Sequence, residues 1–526
     1  MQTDTLRREA GLLGLLYASL SGMIGSGWLF GPLTAATMAG PASLLSWLIG
    51  GTAILLLALV YAELAALFPV PGAAVVCARL SHGRLLALIV SWAVFLGYTA
   101  PGEFLAILAY SNNFLPGLVH PKTGVLTPLG FMAAVALLFC FTLLNLLGIR
   151  RLLRINTLVT WVKLIVPVTT VIALLALSHH GANLQRHGFA PYGLQGALTA
   201  VSGAGIVFSF LGFRQSVELA GESARPRRAL PIAITGSVLI SLILYLLLQY
   251  AFLVALPPAA TAQGWRALSF PGMAGPFAGL ALSLGAAWLA VILYIDAVIS
   301  PAGTALIHFA TSTRVAYAMG EARLLPGAVT AVNRRGAPWV ASLISSAFGA
   351  LFLFPFPSWQ KMISYVSAVI VLSYGMGPLA LLSLRKRLPV AAYPRPFHLK
   401  GAWVIAPLAF VICNLIVYWT GYRTVSVLCG LIAVFTLGYA VYHRVLRGRS
   451  WEDIHWRGAW WVLPYLAGLW LLTHFGERAV GGDNRLPFPY DLGAVAAFSL
   501  VILALAVASG IEPEEAKAYL ENSKKY

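Results

Sequence analysis

The chain is 526 residues long, 59% hydrophobic and only 10% charged, whereas a water-soluble domain carries about 25% charged residues. Its apolar residues run in long uniform stretches, which argues against a soluble globular protein and against a β-barrel, whose alternating segments are about 10 residues long. The net charge of +18 invites a nucleic-acid partner, but the positions of the charges assign it to membrane topology instead.

A bilayer core of about 30 Å takes about 20 apolar residues per helix. Backbone groups in lipid must be paired within the segment, so each long stretch reads as a helix. In chain order, helices are expected at 11–36, 42–68, 85–112, 127–148, 156–178, 197–221, 231–256, 277–306, 338–355, 361–384, 403–420, 426–445, 459–473 and 490–509. The chain thus reads as an all-α membrane protein of 12–14 spans, since the pair 459–473 and 490–509 can be lost together without moving a terminus across the membrane. The span 277–306 is long and is expected to continue as a cytoplasmic helix through Arg314 and Tyr317. Arg7, Arg8 and Glu9 precede the first span with no small-residue cleavage site, so that span is expected to stay in the mature protein. Cys77, Cys140, Cys413 and Cys429 form no CxxC pair, which argues against a disulfide framework or a metal site.

With the N-terminus placed in the cytoplasm, 26 of the 35 Lys and Arg residues fall in inside segments and 7 in outside segments. The bias follows the positive-inside rule. It predicts a multi-pass protein of the cell inner membrane with both termini cytoplasmic, whose basic loops face anionic lipid. Lys163 and Arg214 are the two remaining cations, and both fall inside helices.

Two helices look interrupted. The first contains Gly22-Met23-Ile24-Gly25-Ser26-Gly27-Trp28, and the sixth contains Phe208-Ser209-Phe210-Leu211-Gly212-Phe213-Arg214. They open two successive groups of five spans, and an odd number of spans inverts the second group relative to the first. Broken helices at matching positions of inverted repeats mark a substrate site at the membrane midplane. Glycines that serve close helix packing are the alternative. This gives a 5+5 inverted-repeat core over 1–390, additional C-terminal spans over 391–510, and a cytoplasmic tail over 511–526.

Four segments resemble the amino acid–polyamine–organocation superfamily of transporters. They are Gly25-Ser26-Gly27-Trp28-Leu29-Phe30; Tyr61-Ala62-Glu63-Leu64 with Pro69-Val70-Pro71-Gly72; Phe210-Leu211-Gly212-Phe213 with Glu222 and Arg225-Pro226-Arg227-Arg228-Ala229-Leu230-Pro231; and Thr313-Arg314-Val315-Ala316-Tyr317-Ala318-Met319 with Leu325-Pro326 and Asn333-Arg334-Arg335-Gly336-Ala337-Pro338. The match covers about 10–390 and is specific as a set. Where the superfamily usually has Glu after Gly-Phe in the sixth helix, this chain has Arg214. Within the superfamily, the pattern resembles most closely the bacterial aspartate–proton symporters.

The resemblance implies a small zwitterionic amino acid as substrate and no cofactor. Free N–H groups at a half-helix start bind a carboxylate, and free carbonyls at a half-helix end bind an ammonium. It places the carboxylate on the amides near Ser26 and Gly27, and the ammonium on the carbonyls of Met23, Phe208 and Leu211. Ile24 and Gly25 lie in the same interruption. Trp28 and Phe208 are expected to close over the ligand, simple packing being the alternative. Lys163 stands where proton-coupled members carry a lysine in place of a sodium ion. Ser300 and Thr304 are its expected oxygen partners, and permanent pairing with Asp296 is the alternative.

A charge at the centre of a span costs about 2.5–3.5 kcal/mol on insertion scales, so intramembrane charges tend to be functional. The Arg214 fork suits a second carboxylate, such as an acidic side chain. An internal pair with Glu103, Glu218 or Asp296 is the equal alternative. Glu103 follows Ala100-Pro101-Gly102, where a kink is expected, and reads as a proton-relay residue or as the partner of Arg214. Glu222, near Arg225, Arg227 and Arg228, reads as a structural cytoplasmic contact. No histidine is given a role.

Other classes fit less well. The chain has no G-x-x-x-x-G-K-[ST] phosphate loop and no H-E-x-x-H, so neither an ATP-driven pump nor a metalloprotease is expected, nor any other enzyme. A channel would show a repeated filter or rings of charge. Proton symport of an acidic amino acid such as L-aspartate is the leading expectation. Amino acid exchange, transport of a neutral amino acid and a transporter-like nutrient sensor remain as alternatives.

Overall fold

A computed structural model describes residues 8–120, 123–270, 275–354, 359–441, 444–445, 448 and 455–523. Arg7, Lys122, Arg447, Arg449, Lys524 and Lys525, used in the charge count, lie outside the described residues, as do 355, 442 and 443 of the expected spans.

Each of the fourteen expected spans corresponds to a helix or a broken set of helices. The first is split into α1 (Leu12–Met23) and α2 (Ser26–Ala39), and α3 (Ser43–Leu67) is the second. The short α4 (Ala73–His82) leads into the third span, α5 (Arg84–Thr99) and α6 (Gly102–Ser111). Pro101 explains that division, because proline has no N–H to give and disfavours helix at the residue before it. α7 (Pro128–Asn145) and α8 (Ile149–Leu177) complete the first five.

The sixth span is α9 (Gly193–Gly203), α10 (Ile206–Phe210), a 3-10 turn at Leu211–Arg214, and α11 (Gln215–Glu218). It bends by 50° at the break after Gly203. Gly205 makes that bend with φ +76°, a left-handed conformation that a side chain disfavours. α12 (Pro226–Ala255), α14 (Ala287–Glu321), α15 (Trp339–Phe352) and α16 (Trp359–Arg387) follow. The expected span 277–306 needs correction. Its start is a separate short helix, α13 (Pro276–Ser283), and the spanning helix begins at Ala287 after Gly285 turns with φ +74°. The C-terminal part holds α17 (Ala402–Trp419), α18 (Tyr422–Val441), the one-turn α19 (Trp456–Ala459), α20 (Val462–Phe475), α21 (Tyr490–Ser509) and the tail helix α22 (Glu514–Ser523).

Among the described residues, ten helical stretches are long and apolar enough to cross a membrane, or eleven with the bent sixth span. α8 shows how they sit. Leu158, Trp161, Ile165, Val168 and Ile172 are exposed, while Asn156, Thr160, Lys163 and Thr170 are buried. The apolar stripe faces outward and the polar one inward, as lipid requires and water would not. The first four like-numbered pairs of spans touch: α1 meets the 3-10 turn and α11, α3 lies along α12, α5 and α6 along α14, and α7 along α15. The later spans pack around this core, α17 on α3 and α16, and α18 on α5 and α16.

Candidate functional site

The first span is interrupted where the sequence reading expects it. α1 ends at Met23, Ile24 and Gly25 leave helical geometry, and α2 starts at Ser26. The sixth span lies directly against this break. A Cβ on Gly212 would be 2.1 Å from the Gly22 carbonyl carbon, and one on Gly27 would run into the Ser209 side chain. The glycines therefore serve both readings: Gly22 and Gly212 are a backbone-to-backbone contact, and Gly25 is in the break itself.

Several polar groups at the break are paired within the chain. The Ser26 N–H donates to Glu103 Oε2 at 3.0 Å, and the Ser26 hydroxyl accepts from Trp359 Nε1 at 2.8 Å. Tyr245 donates to the Met23 carbonyl at 2.8 Å, Tyr374 donates to the Leu211 carbonyl, and the Leu211 N–H donates to the Phe208 carbonyl. The groups expected to hold a carboxylate and an ammonium thus already carry a carboxylate and protein donors. The Met23 carbonyl also accepts from the Gly25 N–H at 3.0 Å, so both of its lone pairs are taken.

Lys163 is fully buried. Its Nζ donates to the Ser21 carbonyl (2.5 Å), Ser21 Oγ (3.1 Å) and Thr304 Oγ1 (2.8 Å), one acceptor for each ammonium N–H. Thr304 in turn donates to the Ser21 carbonyl at 2.6 Å. Ser300 is not among these partners; its hydroxyl donates to both Asp296 oxygens, at 2.9 and 2.8 Å. Thr304 and Glu103 face each other across the break, since a Cβ on Gly25 would be 2.6 Å from Thr304 Oγ1 and 2.7 Å from Glu103 Oε1.

Arg214 is also fully buried. Its Nε donates to Glu218 Oε1 at 2.6 Å and its Nη1 to Ser373 Oγ at 2.8 Å. The guanidinium lies over Tyr61 (5.3 Å) and Tyr374 (5.1 Å). Nη2 has no hydrogen-bond partner among the described residues. Glu218 is one of the three carboxylates the sequence reading offered; Glu103 instead binds the start of α2.

Trp28 packs on Phe277 at 5.5 Å, and Phe208 on Trp359 at 6.5 Å. Phe30 lies on Trp359 at 4.4 Å and on Tyr110 at 5.2 Å. Met23, Ile24, Ser26, Trp28, Phe208, Leu211 and Thr304 are all buried, so this conformation is closed to solvent. Sequence reasoning missed several contributors, Tyr245 of α12 among them. Trp359 and Tyr374 come from α16, which carries no motif. His308 of α14 is buried against Tyr98 at 5.2 Å. Only its place one to two turns beyond Thr304 signalled it.

Two motif carboxylates lie outside the site. Glu222 pairs with Arg314 (3.0 Å) rather than with its neighbouring arginines, and Glu63 pairs with Arg385 (2.5 Å) and Arg395 (3.3 Å).

The broken spans, the intramembrane cations and the helical architecture together define a membrane transporter, and comparison with known proteins agrees. The amino acid permease family matches residues 11–443, and the chain belongs to that family, within the amino acid–polyamine–organocation superfamily. It is 34% identical to the glutamate/serine transporter AimA of Bacillus subtilis (strain 168), over 99% of this chain and 96% of that protein. It is 33% identical to the aspartate-proton symporter of the same organism, over 96% and 97%. It is 30% identical to its branched-chain amino acid permease BcaP, over 82% and 93%. The chain is a multi-pass amino acid permease, not an enzyme.

Proposed function

We propose that the protein carries an acidic amino acid, with L-aspartate the leading candidate, together with a proton, by alternating access. The observation that carries the reading is Lys163. Its three ammonium hydrogens are spent on Ser21 and Thr304 at the break in the first span, where a bound cation would hold α1 and α14 together. A lysine that gives up its proton in one conformation would loosen that junction, and a proton would do the work of a coupling ion.

In this reading the amides near Ser26 and Gly27 receive the substrate carboxylate, and the carbonyls of Met23, Phe208 and Leu211 receive the ammonium. Ile24 and Gly25 supply the unwound backbone, and Trp28 and Phe208 close over it. Arg214, through its unpartnered Nη2, meets the side-chain carboxylate. Lys163 and Glu103 handle the proton, with Thr304 linking Lys163 to the break and Ser300 holding Asp296. The contacts between the first four like-numbered pairs of spans support a 5+5 inverted repeat over 1–390, with 391–510 as added spans. The charge bias supports the inner membrane, with both termini and 511–526 in the cytoplasm.

Two observations favour a neutral substrate instead: Arg214 already has Glu218 as its ion pair, and one relative is named for serine as well as glutamate. The test is uptake into proteoliposomes of an amino acid panel under imposed pH or sodium gradients. Aspartate accumulation driven by inward-directed protons is expected. Uptake that needs sodium and ignores the pH gradient would overturn the reading, and counterflow that requires substrate on both sides would replace symport with exchange.

A further inference from the structure

We propose that the Glu103 carboxylate is a resident competitor for the substrate's α-carboxylate, so that an amino acid takes the start of α2 only as Glu103 binds a proton and lets go of the Ser26 amide. The inference rests on the symport reading above and assigns the coupled proton to Glu103 while the substrate is bound.

Ser26 is the first residue of a 14-residue helix, and its N–H belongs to the set that has no partner inside the helix. Glu103, on another span, fills that place with Oε2. Its other oxygen, Oε1, is buried with no hydrogen-bond partner among the described residues. A buried orphan of this kind calls for an explanation. Glu63 shows what a structural carboxylate looks like in this protein: Arg385 reaches both of its oxygens, Arg395 approaches Oε1, and the Leu399 N–H donates to Oε2. Glu103 is held far more weakly. It lies over Gly25, where a Cβ would be 2.7 Å from Oε1.

The titratable groups around Glu103 are Lys163 of α8, which acts electrostatically on it and on Asp296 of α14, and Tyr245 of α12. α2 adds the Ser26 backbone, and α16 adds Trp359 through Ser26. No arginine is paired with Glu103 among the described residues, unlike Glu63, Glu218 and Glu222.

An amino acid carboxylate bound at a half-helix start would use the same N–H donors. Two carboxylates cannot share one Ser26 hydrogen, and two like charges in a closed site disfavour each other. A proton from the side of entry adds to a Glu103 oxygen and makes a neutral acid. That acid releases the amide, and the substrate carboxylate takes it. After the substrate leaves on the other side, the proton passes to water and the carboxylate returns to the amide. Only the O–H bond is made and broken.

The test is binding of L-aspartate, L-glutamate and L-serine to the purified full chain by calorimetry, in buffers of different ionisation enthalpy. The wild type should take up one proton per substrate, with affinity rising roughly tenfold per pH unit of acidification over the linked range. Glu103→Gln and Glu103→Ala should bind without that proton and with the slope gone, and should exchange substrate but not accumulate it on a pH gradient. Infrared difference spectra of the wild type, which need no variant, should gain a protonated carboxyl band on substrate addition that shifts with carbon-13 glutamate labelling. If both variants keep the proton linkage, or the band does not appear, the proposal is overturned while symport stands. If the wild type shows no proton-driven uptake, the symport reading itself fails.

Discussion

Lys163 and Arg214 are the two cations inside the spans, and their surroundings ask different things of each. Lys163 has three oxygen acceptors but no carboxylate within salt-bridge distance among the described residues. Its proton can therefore leave without abandoning a charged partner. Lys163→Ala should abolish accumulation on a pH gradient, while exchange of internal for external substrate continues; both are read from one proteoliposome preparation. Arg214 is held by Glu218, Ser373 and two tyrosine rings, which leaves only Nη2 for a ligand. Truncating one member of a buried, hydrogen-bonded charge pair costs about 2–5 kcal/mol. If that loss falls on the substrate contact, Arg214→Ala weakens aspartate binding roughly thirtyfold or more and spares alanine. Arg214→Lys then rescues only in part, because the planar fork is lost. If the loss falls on Glu218, thermal stability drops by about 3–5 kcal/mol and both amino acids are affected alike. Measuring the melting temperature beside the two affinities separates these outcomes.

At the level of the helix, Gly25 in the break and Gly212 of the sixth span against it have distinct neighbours and should fail differently. A Cβ at Gly212 meets backbone, the Gly22 carbonyl carbon at 2.1 Å and the Met23 nitrogen at 2.3 Å. Backbone cannot yield as a side chain can, so Gly212→Ala should force α1 and the sixth span apart. Overpacking of this kind typically costs about 1–3 kcal/mol, occasionally more, and should appear as poor expression and a lowered melting temperature. A Cβ at Gly25 meets only side chains, Thr304 and Glu103. Gly25→Ala should fold near normally yet transport poorly, and equal loss of folded protein in both variants would contradict this. The first break was legible from its glycine cluster, but the sixth span bends at Gly203–Gly205, ahead of the expected interruption at Phe208–Arg214, where the chain makes a 3-10 turn instead. The intramembrane cations were legible because a charge in an apolar run is conspicuous. Their partners were not. Ser300 and Thr304 share one face of α14, so spacing alone does not say which of them meets Lys163. Trp359, Tyr245 and Tyr374 carry no sequence signal, since an aromatic in a membrane helix reads first as packing. The false start at 277 arose because α13 is as apolar as a span, and only Gly285 marks the turn.

For the molecule as a whole, the motif residues that take no part in the site tie spans together on the side that the charge bias assigns to the cytoplasm. Glu222, just after the sixth span, pairs with Arg314 of α14, which also donates to Asn145 of α7. Glu63 ties α3 to the end of α16 and the loop beyond it. The Ala10 N–H donates to the Glu222 carbonyl and the Ala10 carbonyl accepts from the Ala224 N–H. The tail adds a further latch, with Arg79 on Glu515 at 2.5 Å and Phe68 on Tyr519 at 5.8 Å. Under the proposed alternating access such contacts must break on one side as the other closes, so they should favour the closed form rather than merely support the fold. The Glu222–Arg314 pair tests this most cleanly, because both side chains are buried at 1% exposure or less. Removing one partner leaves a buried charge unpaired and costs about 3–5 kcal/mol, whereas replacing both by neutral groups is often close to neutral. Glu222→Gln and Arg314→Met alone should each lower the melting temperature, and the double variant should recover most of the loss as a coupling energy in a double-mutant cycle. The recovered protein, folded but without its latch, should bind substrate from the cytoplasmic face more readily than the wild type. If it instead matches the wild type in both stability and sidedness, the pair contributes packing alone.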